Sequence, residues 1–357
     1  MAIEILTFAG IFIIYFIAAV RKNPDGKKKF LIMCGIWIVV IMGSRWCNSG
    51  FGDEVRYNYL YERFTNMPFY DFWPRYKSGK DIGFYFLYWL TAQVFPSNQI
   101  PIYLITGICV FSFFRFYYRN SEDPLVSVLL FFAFGMFSFY MAGYRQCCAM
   151  CVCLFALEAA KEKKIYKYVL LLLLAFLLHR SSIIFVPVYF IMQFSRSTGG
   201  KAKVLLCSVL VLLFAAPLLE WFSGSVSEES YTSFAYSSSV IGFLINIVIM
   251  AVPVAFTFFP LCEFDPAKRS NQVRLVYILI IGAIYFCLRN TYWVFERVSY
   301  YYTFAVAAAY GNITESLVRN EKTQKFGVIM RVASIILLLA LYFTVRVNTE
   351  VVFFWSH

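Results

Sequence analysis

Residues 165–194 read IYKYVLLLLLAFLLHRSSIIFVPVYFIMQF. Two apolar runs, 165–179 and 181–194, flank a single polar break at His179, Arg180, Ser181 and Ser182. A basic stretch, KEKKIYK at 161–167, stands ahead of the first run. Runs this apolar, interrupted once and flanked by lysines, read as paired membrane helices joined by a tight turn.

The rest of the chain has the same character. Of 357 residues, 61% are hydrophobic and 15% charged, with a mean hydropathy of +0.67. Soluble domains hold roughly 45–50% apolar and about 25% charged residues, so a soluble enzyme with a tail anchor is excluded. Further spans are expected near 2–20, 30–46, 101–118, 124–141, 143–160, 203–221, 239–260, 273–289, 295–312 and 326–345. Twelve spans of roughly 20 residues each leave about a third of the chain outside the bilayer. The expectation is an all-α polytopic helical membrane protein, with residues 1–357 forming one integral membrane domain. No large extramembrane domain, removable leader or internal repeat is expected.

Orientation follows from the basic loops. RKNPDGKKK at 21–29 and KEKKIYK at 161–167 both belong on the cytoplasmic side. A short aromatic piece, IGFYFLYWLTAQVFP at 82–96, would put these loops on opposite sides if it crossed. It is therefore expected to be re-entrant or interfacial, within an external region at 47–100 that also carries an amphipathic helix. Both chain ends then lie outside, and nearly two-thirds of the 32 Lys and Arg fall in cytoplasmic loops. The net charge of +12 is read as this bias, with no nucleic-acid partner. Nine of the 10 cysteines lie in or beside apolar spans as small hydrophobes. Cys147, Cys148, Cys151 and Cys153 have no histidine on the same face, so a packing stripe is preferred to zinc.

Ionisable residues at membrane depth are costly and mark function. In this topology they gather near one face. Asp53 opens the helix DEVRYNYLYERF and shares a face with Tyr57 and Tyr61; it is a general base or a helix cap. Asp81, before the short aromatic segment, either binds sugar hydroxyls or caps. Arg145 and Gln146 start a span after a three-residue turn, where Arg145 is a ligand group or snorkels. His179 is a structural group or a proton carrier. Arg289, Glu296 and Arg297 sit at the mouth of two spans; a Glu296–Arg297 pair would be poor, since adjacent helical residues do not face each other. Several arginines there imply an anion, because the guanidinium fork suits phosphate.

GD at 52–53 before a Tyr-rich helix, D-x-G-F at 81–84, R-Q at 145–146, H-x-S at 179–181 and E-R with tyrosines at 296–302 occur in this order. The set resembles the EpsG family of Wzy-type oligosaccharide repeat-unit polymerases, over roughly residues 2–320. Asp81 stands where that family often carries Glu. The resemblance implies an inverting glycosyltransferase of GT-C-like architecture in a bacterial cytoplasmic membrane. It would transfer a growing glycan from undecaprenyl diphosphate to a lipid-linked repeat unit on the outer leaflet, without metal or other cofactor. Its partners would be the lipid-linked donor and acceptor, membrane lipids, a flippase and a chain-length regulator. Arg145, Arg289 and Arg297 would hold the diphosphate; Tyr57, Asp81, Gln146, Glu296 and Tyr300 would contact sugar. Asp53 is the first choice for general base and His179 the second, or its orienting partner. A membrane O-acyltransferase, a lipid-glycan flippase and a purely structural role remain as alternatives.

Overall fold

The computed structural model describes residues 2–46, 53–194, 240–258, 262–290 and 294–346. The expected span 203–221 lies outside the described residues. The described chain is helical: α1 (Ala2–Ile17), α2 (Gly26–Gly43), α3 (Glu54–Thr65), α4 (Phe69–Tyr76), α5 (Ile82–Val94), α6 (Ile100–Asn120), α7 (Pro124–Ala133), α8 (Met136–Ala142), α9 (Tyr144–Lys161), α10 (Ile165–Leu178), a 3-10 turn (Arg180–Phe185), α11 (Pro187–Phe194), α12 (Val240–Phe258), α13 (Pro266–Cys287), α14 (Val294–Thr303), α15 (Ala305–Arg319) and α16 (Gln324–Leu341), followed by a π turn (Tyr342–Arg346). Among the described residues, α6, α13 and the stretch Gln324–Arg346 are long and apolar enough to cross a bilayer alone. The bent pair α7–α8 would make a fourth. The other apolar helices are shorter, α10 having 14 residues and so about 21 Å of length against a hydrocarbon core of about 30 Å.

Side chains on many of these helices turn apolar surface outward. Phe16 on α1, Leu170 and Leu173 on α10, and Ile329 and Leu337 on α16 are all more than half exposed. The interior is dense and aromatic, with Phe30, Tyr117, Tyr140, Phe113 and Tyr301 fully covered. Apolar patches of that size do not face water, and a lipid solvent accounts for them.

The helix order defines two polar ends. At one, Lys161 on α9 donates to Asn120, closing α6, and Gln193 on α11 donates to the Ala160 carbonyl. Asn312 on α15 bonds both Gln272 on α13 and the Asn120 carbonyl at this same end. At the other end lie the C-terminus of α2, the start of α9 and the close of α10. Gln99 donates to the Gly43 and Arg45 carbonyls, and Tyr144 donates to Glu54. Helices α3 and α5 pack together here, with Tyr88 bonded to the Tyr57 carbonyl and Gln93 to that of Phe64. Segment α5 both begins and ends at this one end of the bundle, since Asp81 pairs with Arg145 and the chain returns to Arg45 through Gln99.

Four spans differ in shape from the sequence expectation, the expected 181–194 being a 3-10 turn (Arg180–Phe185) followed by the short α11. Segment 124–141 is bent by 51° between α7 and α8, at Gly135 with φ +86. The break frees carbonyls in an apolar setting, and Arg346 supplies donors to Ala133 (3.3 Å) and Phe134 (3.4 Å). Arg346, near the end of the described chain, thus reaches into the bundle. Helix α13 starts at Pro266 rather than near 273, because its polar first turns find partners: Lys268 pairs with Glu122 at 3.1 Å and Gln272 bonds Asn312. The expected span 295–312 is two helices, α14 and α15, divided at Phe304.

Candidate functional site: an aspartate holding a histidine and an arginine

Asp81 precedes α5 with a left-handed backbone (φ 60, ψ 36) and makes no cap hydrogen bond. Its carboxylate instead points across to α9 and α10. Oδ2 accepts from Arg145 Nη1 at 2.9 Å and from His179 Nδ1 at 3.0 Å, while Oδ1 accepts from the Arg180 backbone N–H at 2.9 Å. The group is 5% exposed. Burial alone would push its carboxyl up; the His179 hydrogen bond, the Arg180 amide and the Arg145 guanidinium outweigh that and hold it below the usual range. An ionised carboxylate can only accept, so Nδ1 of His179 carries a proton, and in the neutral imidazole Nε2 is then the acceptor.

The sign of this shift sets a pH test. A carboxylate with a depressed folded pKa contributes stability that is complete above its unfolded value near 3.9 and disappears as pH falls through the lower folded value. The difference in melting temperature between wild type and Asp81→Asn is expected to be full at neutral pH and to shrink below about pH 4. A difference that grows on acidification would contradict the assignment.

Gly83 explains how α5 reaches this position. A Cβ there would meet the Leu177 carbonyl oxygen at 2.9 Å, so only glycine lets α5 sit against the last turn of α10, next to His179. Gly83→Ala is expected to shift Asp81 relative to His179 and to cut turnover about 10²-fold, the usual cost of a displacement near 1 Å. Activity assays beside a thermal melt check it; unchanged turnover would remove the D-x-G spacing from the account.

Other residues singled out from sequence join the same corner. Arg145 Nε donates to the Tyr57 hydroxyl at 3.3 Å, and Tyr57 stacks on Tyr144 with ring centroids 4.8 Å apart. Gln146 donates to the Arg297 carbonyl at 2.7 Å, which sets the R-Q and E-R motifs side by side; the Arg297 side chain is exposed. Ser181 shares a hydrogen bond of 3.0 Å with Tyr301, tying H-x-S to the tyrosines of α14.

Several expected residues lie elsewhere or turn inward. Asp53 stands at the N-cap position of α3 with no side-chain cap bond, and its charge is felt at Tyr57. Glu296 faces Arg289 at 3.6 Å, not Arg297. The Arg289 guanidinium is buried, 4.6 Å from each of the Phe243 and Phe286 rings. Tyr300 is 3% exposed and stacks on Phe139 at 3.9 Å.

Two groups were missed from sequence. Tyr85, one helical turn after Asp81, lies 3.4 Å from Arg145 Nη1; its spacing was the available signal. Arg45 and Glu54 form a fully covered pair, with Nη2 to Oε1 at 2.6 Å, and Tyr144 donates to the same Oε1 at 2.6 Å. Removing one member of such a pair costs about 3–5 kcal/mol, so the pair anchors α3 beneath Tyr57. Nothing in the spacing of Arg45 and Glu54 announces it.

Cys147, Cys151 and Cys153 are buried, with Cys151 bonded to the Ile108 carbonyl of α6. Among the described residues, no group of three or more His, Cys, Asp or Glu could hold a metal ion. A wider cavity, about 830 Å³, lies at the opposite end of the bundle, lined by Arg119, Glu122, Lys268, Glu315 and Arg319. Its charges largely pair with each other, Glu122 alone taking Lys268 at 3.1 Å and Arg319 at 3.4 Å. The Asp81 corner, which sets a histidine beside an arginine, is the better candidate for chemistry.

The fold and this corner define a helical membrane protein whose acidic, basic and imidazole groups meet at one end of an apolar bundle. The EpsG family profile matches residues 28–355, and the chain belongs to the EpsG family. Membership is consistent with a membrane polymerase of polysaccharide biosynthesis. No curated protein and no solved structure matches the chain.

Proposed function

We propose that the protein is an inverting glycosyltransferase that polymerises lipid-linked repeat units, with His179 as general base. The observation that carries this reading is the Asp81 carboxylate, bonded at once to His179 Nδ1 (3.0 Å) and to Arg145 (2.9 Å). A base oriented by a third group is the arrangement that proton abstraction needs. His179 Nε2 takes the proton of an acceptor sugar hydroxyl, and that oxygen attacks the anomeric carbon of the donor. The bond to the undecaprenyl diphosphate breaks with inversion, and the negative charge grows on the leaving diphosphate. Arg145 and Arg297 meet that charge, so the step calls for no metal. Arg289, with Glu296, supports the mouth of α14 in this scheme rather than touching phosphate. Tyr57, Tyr85 and Gln146 frame the acceptor.

The outer leaflet is the proposed location, because the opposite end of the bundle carries the basic loops. Helix α10 ends short of a full crossing, which recesses His179 toward the depth of lipid headgroups. A chain-length regulator and a flippase would act with the protein in a bacterial cytoplasmic membrane, as part of capsule, exopolysaccharide or O-antigen assembly. Purified full-length protein in nanodiscs, given a synthetic polyprenyl-diphosphate-linked repeat unit and no nucleotide sugar, tests the chemistry. The expected products are one polyprenyl diphosphate per linkage and an inverted anomeric centre by NMR. Retained configuration, or acyl transfer in place of glycosyl transfer, would overturn the proposal.

A further inference from the structure

Below the His179 corner, an apolar trough of about 380 Å³ runs between α10 and the segment that follows it. Tyr168, Val169, Leu173 and Phe176 form one wall, Ile183 and Phe190 part of the other, and almost no polar surface enters it. On α10 the lining extends from Ile165 to Phe176, about 16 Å along the helix. The trough is open sideways, Leu173 being 57% and Phe190 48% exposed. Its floor is fixed, since the Tyr168 and Tyr302 hydroxyls donate to the Phe185 and Ile184 carbonyls of the 3-10 turn.

The upper end of the trough adjoins the candidate site. Phe176 is one turn before His179, and Ile183 one turn after it. Between them stands Arg180. Asp81 holds its backbone N–H, its side chain is partly exposed, and among the described residues no carboxylate pairs with its guanidinium. A cation at the head of an apolar trough is complementary to an amphiphile with an anionic head and a long hydrocarbon tail.

We propose that the trough seats the isoprenoid tail of the lipid-linked substrate, with Arg180 binding the phosphate next to that tail. This rests on the polymerase reading above, and it adds where the lipid lies. A tail descending between α10 and α11 leaves the diphosphate–sugar bond level with Arg145 and His179. Arg180 then acts as a substrate-binding residue, distinct from the Asp81-bound pair.

The test uses full-length protein in nanodiscs and a sugar-free polyprenyl diphosphate carrying a diazirine on its tail. Photolabelling is expected within residues 168–190, competed by unlabelled polyprenyl diphosphate and not by phosphatidylglycerol. Leu173→Trp, which fills the trough, and Arg180→Ala should each weaken binding about tenfold, a loss of about 1.4 kcal/mol; Arg180→Lys should recover part of it. Thermal melts confirm that the variants fold. Label mapping elsewhere, label in the trough that ordinary phospholipid competes equally well, or wild-type affinity in both variants would overturn the inference. Elongation measured in parallel separates the two readings. Competed labelling in the trough without elongation leaves the lipid site standing and removes the polymerase; elongation with label elsewhere does the reverse.

Discussion

Replacing His179 with Gln is expected to lower elongation by about 10²- to 10⁴-fold while the protein still folds and binds lipid-linked substrate. Glutamine keeps a polar group of similar reach opposite Asp81 but cannot take a proton. Asp53→Asn is the companion variant. Asp53 lies at the N-cap position of α3, and no described hydrogen bond joins it to Asp81, Arg145 or His179. It should retain most of the wild-type rate, measured as glycan linkages formed per unit time. The opposite result, with Asp53→Asn inactive and His179→Gln active, would transfer the base to Asp53 and leave His179 a structural partner of Asp81.

Arg145→Ala should be nearly as damaging. A donor fixed at a developing negative charge is worth about 10²–10³ in turnover. The same guanidinium also bonds the Tyr57 hydroxyl and Asp81, so its loss leaves a buried carboxylate with one partner fewer. Lysine should rescue only partly, because a single ammonium cannot span Asp81, Tyr57 and a phosphate together. Turnover with Tyr57→Phe tells the two roles apart: a loss in Arg145 variants that Tyr57→Phe does not share points to the phosphate. Full activity in Arg145→Ala would remove the anion clamp.

The residues of the candidate site that interrupt apolar runs stand out in the sequence. His179 closes a leucine-rich helix and Arg145 opens a span, and each stands out because charge at that depth is costly. Asp81 was legible as a candidate but not as the group that joins them. An aspartate directly before a helix looks like a cap, and only the left-handed backbone and the approach of α5 at Gly83 turn it toward α10. Asp53 was favoured for its place above the expected cleft, an argument from topology that carries no distance. Arg289 was grouped with the phosphate ligands by side of the membrane, yet Phe243 on a separate helix covers it. Long-range pairings of that kind have no local signature.

Helix shape divides in the same way. Apolar runs located most described helices, since hydrophobicity is a property of the run itself. The 51° bend at Gly135 and the early start of α13 depend on Arg346, Asn312 and Glu122, which lie far away in the chain.

The central claim is that this corner joins lipid-linked glycans to one another. The most direct measurement is the length distribution of lipid-linked glycan made by purified full-length protein from one defined repeat unit, without nucleotide sugar. The account predicts a ladder rising by one repeat unit per step, all on lipid diphosphate, and its disappearance with His179→Gln. Product that stays at the input length in folded wild-type protein, whether translocated or acylated, would contradict it.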